Sequence, residues 1–403
     1  MRTRRTFLII SQVYPPDPAA IGQHLEDVAK ELVRRGNRVI VYTADHGYDD
    51  PSAAYDRRET REGVEVRRVP LSSFGKSSIP VRLLGGGLFV AQVILRAAFT
   101  RGIDAIVVST SPPMGSWGAM VLGLLHRAPV KYWVMDVNPD QMVALGMLSR
   151  RSLAARGFDF LNRLVLRRAQ DVIVLDRFMA ERINSKEDVS HKLAVLPPWP
   201  AEDPADVITP EESPFRAEHG LAGKLVVMYS GNHGPSNPLT TIIEAGKRLC
   251  DDPRLVLLFV GGGVGKKEVE DAHCPNIRSL PYQPRQSLEH SLAAADVHVV
   301  TVGDEVKGIV HPSKVYGAMA VARPILLVGP AENHVADILS SSDIGWHVRH
   351  GDVDGAERLL REILRTPPAE LRRKGRRARE VIARAGGKAA ACERVCDVIE
   401  RGV

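Results

Sequence analysis

A chain of 403 residues, 44% apolar and 25% charged, is long enough for two hydrophobic cores and too mixed in composition to be fibrous or mostly disordered. Its net charge of +6 is uneven: residues 1–200 carry 28 Lys and Arg against 20 Asp and Glu, whereas residues 201–403 carry 26 against 28. Basic pairs such as Arg34-Arg35, Arg67-Arg68 and Arg167-Arg168 lack interleaved aromatics, which argues against nucleic acid and for an anionic membrane surface or a phosphorylated substrate; a solvated arginine-rich surface accounts for them equally well.

From the N-terminus, the apolar run at 7–13 reads as a buried strand, too short for the core of a signal peptide or a membrane span. After the turn Pro15-Pro16-Asp17-Pro18 and Gly22, apolar residues recur at helical spacing from Leu25 to Val33, Gly36 ends the pattern, and 39–42 is the next strand. That unit demands a parallel pair with a crossover helix, and its single glycine excludes a dinucleotide fingerprint. Residues 45–63 read as a mobile surface loop before a strand at 64–69. The nearly uncharged stretch 81–98 reads as a buried crossover helix or, alternatively, one that touches lipid. Strands follow at 103–108, 131–134, 171–175 and 193–196. Asp136 lies just past the carboxyl end of the strand at 131–134, where ligands bind in open parallel sheets, although an acidic residue there is also a common turn former.

Between 197 and 214 six prolines mark an extended linker. The alternation then restarts with strands at 224–229 and 255–260, followed by Gly231-Asn232-His233-Gly234 and Gly261-Gly262-Gly263. The second loop is not a Walker motif, because Val260 and Lys267 stand where glycine and Ser or Thr are required. A strand at 276–280 leads to Pro281-Tyr282-Gln283 and a helix near 288–295. After the strand at 297–302 comes His311-Pro312-Ser313-Lys314, where Ser313 is placed to cap a helix and Lys314 falls in its first turn. A cation there opposes the helix dipole unless an anion sits over it. A short all-apolar strand at 325–328 and helices at 356–364, 370–383 and 389–399 complete the chain. The four cysteines show no zinc spacing and are too few for a disulfide framework, so a reducing cytoplasm is the simplest setting.

The pattern predicts an α/β chain of two doubly wound parallel-sheet domains facing across a cleft: 1–198, a linker at 199–215, 216–380, and a terminal segment 381–403. Gly231, Asn232, His233, Gly261, Gly262, Ser313 and Lys314 offer the chemistry of a diphosphate, with Pro281, Tyr282 and Gln283 placed to flank a base. No Asp-x-Asp stands among these loops, so no metal is required.

These residues carry a family resemblance. The chain resembles the retaining glycosyltransferases of family 4 with the GT-B architecture, in the bacterial surface-polysaccharide branch that includes colanic acid and fucosamine transferases. The matching stretches are YPPDPAAIGQHLEDVAKELVRRGNRVIVYTA (14–44), DAIVVSTSPPM (104–114), YWVMDVNPDQMVALG (132–146), VLPPW (195–199), YSGNHG (229–234), AADVHVV (294–300) and PSKVYGAMAVARPIL (312–326). The resemblance implies that a nucleotide diphosphate sugar, UDP-linked for preference, is the co-substrate of the second domain, with no further cofactor. A lipid-linked or saccharide acceptor would approach the basic first domain, with Asp136 catalytic, Gly22 and Asp140 on the acceptor side, and the last helix packed back on that domain. Peripheral contact with the inner face of the cytoplasmic membrane belongs to the same expectation. Glutamates that the family pattern places at Ile309 and Gly317 are absent, and the arginine expected after Gly234 is Pro235. A sugar-nucleotide 2-epimerase and a non-catalytic nucleotide-sugar binder are the rival readings.

Overall fold

The computed structural model describes residues 4–47, 50–72, 79–201, 204 and 206–403. The chain divides into two compact units: unit 1 comprises Met1–Pro198, Gly308–His311 and Ala389–Val403, and unit 2 comprises Trp199–Lys307 and Pro312–Lys388.

In unit 1 the elements run β1 (Thr6–Ile10), α1 (Ala20–Arg34), β2 (Arg38–Ala44), β3 (Arg58–Arg61), β4 (Val64–Val69), α2 (Ile79–Ala97), β5 (Ala105–Ser109), α3 (Gly115–His126), β6 (Val130–Trp133), α4 (Asp140–Ala144), α5 (Leu153–Arg168), β7 (Asp171–Val174), α6 (Arg177–Lys186) and β8 (Leu193–Val195). Among the described residues they form one sheet in the order β3-β4-β2-β1-β5-β6-β7-β8, parallel except for the antiparallel β3–β4 pair. The central strands β1 and β5 are buried along their whole length, as strands covered by helices on both faces must be. The order reverses between β1 and β5, so the loops after these two strands flank the switch point where such sheets bind ligands.

Unit 2 runs α7 (Pro214–Glu218), β9 (Leu225–Asn232), α8 (Thr240–Lys247), β10 (Leu255–Gly262), α9 (Lys266–Glu270), β11 (Ile277–Leu280), α10 (Leu288–Ala293), β12 (Val297–Thr301), α11 (Lys314–Ala320), β13 (Ile325–Val328), α12 (His334–Ser341), β14 (Gly345–Val348), α13 (Val353–Arg365) and α14 (Pro368–Arg384). Its sheet, β11-β10-β9-β12-β13-β14, is parallel throughout and reverses between β9 and β12. The last helix, α15 (Gly387–Glu400), places its residues from Ala389 onward in unit 1. There Arg35 of α1 pairs with Asp397 at 2.7 Å and Glu400 at 2.8 Å, and the buried Lys131 ammonium bonds Asp171 at 2.6 Å.

Several expectations need correction. The first strand stops at Ile10, because the backbone turns into the Ser11–Pro18 loop. The presumed loop at 45–63 contains β3, whose alternating exposed side chains hid an edge strand; 48–49 lie outside the described residues. The proline-rich segment is not a free-standing spacer: Ser213 Oγ bonds the His290 carbonyl at 2.7 Å, and Arg323 reaches the Ile208 carbonyl at 2.6 Å; 202–203 and 205 of it lie outside the described residues. The stretch 81–98 buries Phe89 and Val93 but leaves Leu84 and Leu95 exposed, so only one face of α2 serves the core. Helices α3 to α6 fall between the predicted strands, in stretches to which the sequence assigned no element.

Arg323 shows how unit 2 is locked. Its buried guanidinium also donates to the carbonyls of Ala295, Val321 and Ala293, each at 2.7 Å, and burial pushes its pKa down to about 10. A planar fork satisfies these diverging acceptors and an ammonium does not. Arg323→Lys is therefore expected to destabilise unit 2 by about 3 kcal/mol, read as a lower denaturant midpoint of the full chain.

Candidate functional site

In unit 2 the site is built where β9 and β10 end. Gly261 stands opposite Gly231 and Gly262 opposite Asn232. Both Gly231 (φ +135°) and Gly261 (φ +141°) occupy a backbone region that favours glycine, and a Cβ on Gly261 would strike the Gly231 carbonyl. A Cβ on Gly231 would strike Cε of Lys314, so the lysine stem lies directly on this bare strand end. Its ammonium sits 5.1 Å from the centre of the Tyr229 ring, a cation–π contact. Lys314 is half-buried, and among the described residues no carboxylate pairs with it. Burial pushes its pKa down to about 8. An unpaired, desolvated cation against glycine backbone leaves room and charge for an anion.

His233 is buried beside it, and both ring nitrogens lack a hydrogen-bond partner. Its backbone N–H donates to the Gly262 carbonyl at 2.8 Å, and its own carbonyl accepts from the Gly265 N–H at 2.8 Å. The loop is thus held while the imidazole is left unmatched. Burial holds the imidazole pKa below its usual value, reinforced by the charges of Lys314 and Lys266. Tyr229 donates its hydroxyl to the Asn232 carbonyl at 2.6 Å and fixes the preceding residue. Tyr282 is 55% exposed, with its hydroxyl 3.3 Å from the Gly262 carbonyl and its ring against Gly262. Gln283 folds onto the Pro281 carbonyl at 3.0 Å, leaving Pro281 exposed beside the ring. Sequence-predicted residues from four separate segments therefore meet. Ser313 departs from its expectation: it occupies the cap position in helical conformation, and its side chain caps nothing. Lys314 reaches back over Gly231 rather than over its own helix end. Ile309 is buried and apolar, and the nearest atom to a Cβ at Gly317 is Leu292 Cδ1 at 3.5 Å, so neither position supplies a carboxylate.

In unit 1 the first turn of α1 and the loops after β5 and β6 bring Gly22, Thr110 and Asp136 to the carboxyl edge of the sheet. A Cβ on Gly22 would lie 3.1 Å from Tyr14 Cα, so its role here is close packing of α1 on the β1 loop. Among the described residues Asp136 receives no ion pair; its backbone N–H donates to Thr110 Oγ1 at 3.2 Å, and burial pushes its carboxyl pKa up to about 6. Residues 308–311 return to this edge: Asp136 bridges Val310, and the Val137 N–H donates to the Ile309 carbonyl at 2.9 Å. His311 Nδ1 lies 2.6 Å from Asp176 Oδ2, both buried, while Asp176 Oδ1 caps α6 through the Met179 N–H at 2.8 Å. Sequence reasoning missed this pair, since 135 residues separate its members. Asp140 also differs from its expectation. Its carboxylate is engaged by Arg182, whose Nε lies 2.8 Å away, and by Lys186, so it fastens α4 to α6 rather than facing a ligand. Among the described residues no group of three or more His, Cys, Asp or Glu could hold a metal ion, and no helix is long and apolar enough to cross a membrane.

Two doubly wound parallel-sheet units, each with its chemistry-bearing residues at a carboxyl edge, define the GT-B class. Residues 19–199 match the model of the glycosyl transferase 4-like domain, and residues 212–381 match that of the glycosyl transferases group 1. Together these models span most of the chain, which belongs to the family 4 glycosyltransferases. A probable glycosyltransferase of Pseudomonas aeruginosa, WbjE, is 29% identical over 296 residues, covering 70% of this chain and 72% of that one. The putative colanic acid biosynthesis glycosyl transferase WcaI of Escherichia coli K12 is 25% identical over 343 residues, covering 81% and 83%. In fold, the chain is similar to Anabaena Alr3699/HepE in complex with UDP and glucose, with a TM-score of 0.71, 14% identity and coverage of 98% and 99%.

Proposed function

We propose that this transferase moves a sugar from a nucleotide diphosphate sugar, UDP-linked for preference, to a lipid-linked or saccharide acceptor in cell-surface polysaccharide biosynthesis, retaining the anomeric configuration. The observation that carries the donor half is Lys314, unpaired and laid across Gly231 between two glycine-lined strand ends. The diphosphate occupies that bare backbone, Lys314 neutralises it, and His233 donates or accepts one further hydrogen bond with a nitrogen otherwise left unmatched. Tyr282 offers an exposed ring face to the base, beside Pro281 and Gln283.

On the acceptor side, Asp136 accepts the proton of the attacking hydroxyl. The acceptor oxygen attacks from the face that the diphosphate leaves, so the bond to the diphosphate breaks as the new bond forms with the configuration retained, and the charge that develops on the diphosphate is held by Lys314. A cation that is part of the protein takes the place a metal would have, so turnover is expected to persist in EDTA. The UDP-bound HepE structure and the named role of WcaI support the donor class and the pathway class respectively.

A thermal-shift comparison of UDP, GDP, TDP and their sugars tests the reading. Stabilisation by UDP and a UDP-sugar above the other bases is expected; no stabilisation by any nucleoside diphosphate sinks it. Incubation with donor alone, followed by NMR, should show no epimer.

A further inference from the structure

Residues 308–311 form a short strap that is tied into unit 1 at each position. A Cβ on Gly308 (φ +67°) would lie 2.7 Å from the Phe178 carbonyl oxygen, and the Ile309 carbonyl accepts the Val137 N–H at 2.9 Å. Val310 pairs with Asp136 in an isolated antiparallel bridge, and His311 Nδ1 lies 2.6 Å from Asp176 Oδ2. The strap therefore joins two loops of the carboxyl edge: the one after β6, which carries Asp136, and the one after β7, which opens α6. A single backbone hydrogen bond and one bridge are worth less than the conformational entropy of four ordered residues. Burial of Ile309 and the side-chain tie at His311 must supply the rest.

The imidazole and the carboxylate of that tie are 1% and 4% exposed, and a charge-assisted bond so far from water is strong and costly to break. An ionised carboxylate only accepts, so His311 Nδ1 carries the proton, while the second oxygen of Asp176 accepts the Met179 N–H at 2.8 Å. The transfer chemistry described above uses neither side chain. What the strap adjoins is Asp136. The backbone of Asp136 is paired with Val310 and that of Val137 with Ile309, so the strap runs beside the residue whose half-buried carboxyl titrates near 6. Loosening the strap would shift that backbone and admit water beside it, and a small displacement of a reacting group is expensive in rate.

We propose that His311 and Asp176 are positioning residues: their bond clamps the strap against the loop after β6, and so sets the backbone of Asp136 and keeps water from its carboxyl. The effect on turnover rests on the reading of Asp136 as the base; the effect on the carboxyl itself does not. Asp176→Ser separates the clamp from the helix cap, because serine caps a helix as well as aspartate but is too short to reach His311. In that variant kcat should fall about tenfold, with UDP affinity at the wild-type value. The acid limb of turnover should also move below about 6 as water reaches Asp136. Asp176→Asn, which keeps the cap and offers its amide N–H to an imidazole protonated on the other nitrogen, should restore most of the rate and the limb. A clamp tolerates that exchange of donor and acceptor, and a proton relay does not. A second readout needs no turnover. Asp136→Asn should raise the thermal midpoint of the Asp176→Ser variant by less than about half of what it adds to the wild type, because the carboxyl is then already hydrated. An acid limb left in place together with full additivity of the two thermal shifts overturns the proposal. So does an Asp176→Asn variant as slow as Asp176→Ser, which assigns the pair to proton transfer. Full turnover in Asp136→Asn counts against the base reading alone, and the thermal coupling then decides the clamp.

Discussion

Lys314→Met is expected to weaken binding of the nucleoside diphosphate by about 100-fold, because truncating one partner of a desolvated, charge-assisted contact costs roughly 3 kcal/mol. Isothermal calorimetry with UDP reads the loss. The fold should not suffer. The folded lysine titrates near 8, below its ordinary value of 10.5, so the ammonium is buried at a cost that is fully present below about pH 8 and relieved as pH rises toward 10.5. Removing that cation should leave the thermal midpoint at neutral pH unchanged or raised. Wild-type affinity should itself fall above about pH 8, by at most about tenfold per pH unit, since only the protonated lysine offers charge to the diphosphate. Gly231→Ala is the geometric counterpart: its methyl group would occupy the place of Lys314 Cε and should reproduce the loss of affinity with the ammonium still in the chain. If both variants bind UDP like the wild type, the diphosphate lies elsewhere.

Asp136→Asn should lower turnover by about 100-fold or more while leaving UDP affinity unchanged, the magnitude expected for removal of a general base. Its signature is a joint change in rate, pH profile and stability. The carboxyl titrates near 6 in the folded chain against 3.8 in the open. The folded state therefore binds more protons across that window, stability falls as pH rises through it, and the full cost is present at neutral pH. Neutral asparagine should recover up to about 3 kcal/mol of that cost. Wild-type turnover should drop as pH falls through about 6, and the variant should lack that limb. A structural aspartate would behave in the opposite way, losing stability on substitution and leaving the acid limb in place.

Asp140 illustrates such a structural aspartate four residues away. Both residues follow β6, and both are acidic residues in a loop where ligands bind. Asp140 meets Arg182 and Lys186 because α6 packs alongside, whereas Asp136 meets the backbone of residues 308–311 and, among the described residues, no cation. The resemblance places both at the acceptor end, Asp136 as catalytic and Asp140 as acceptor-side, and only their neighbours show that Asp140 is tied up in ion pairs. Ser313 errs for a related reason: a serine before a helix is a cap by statistics, but its backbone is already helical here, and its hydroxyl accepts from none of the first N–H groups.

What the residues determined alone is whatever follows from local period and local backbone freedom. Apolar runs without alternation announced central strands such as β1, β5 and β13, and the alternation of strands and helices announced two doubly wound sheets. Glycines at strand ends announced a bare backbone edge, and a lysine in the first turn after Pro312-Ser313 raised the expectation of an anion. Tertiary structure alone decided which distant segments share a neighbourhood. It carried residues 308–311 into unit 1, joined His311 to Asp176 and laid Lys314 over Gly231. It also gathered a cavity lined by arginines from β2, β3, β4 and the end of α2. The physical reason is that periodicity records which face of an element is buried, while the partner that buries it depends on sheet order and crossover, which no single segment encodes.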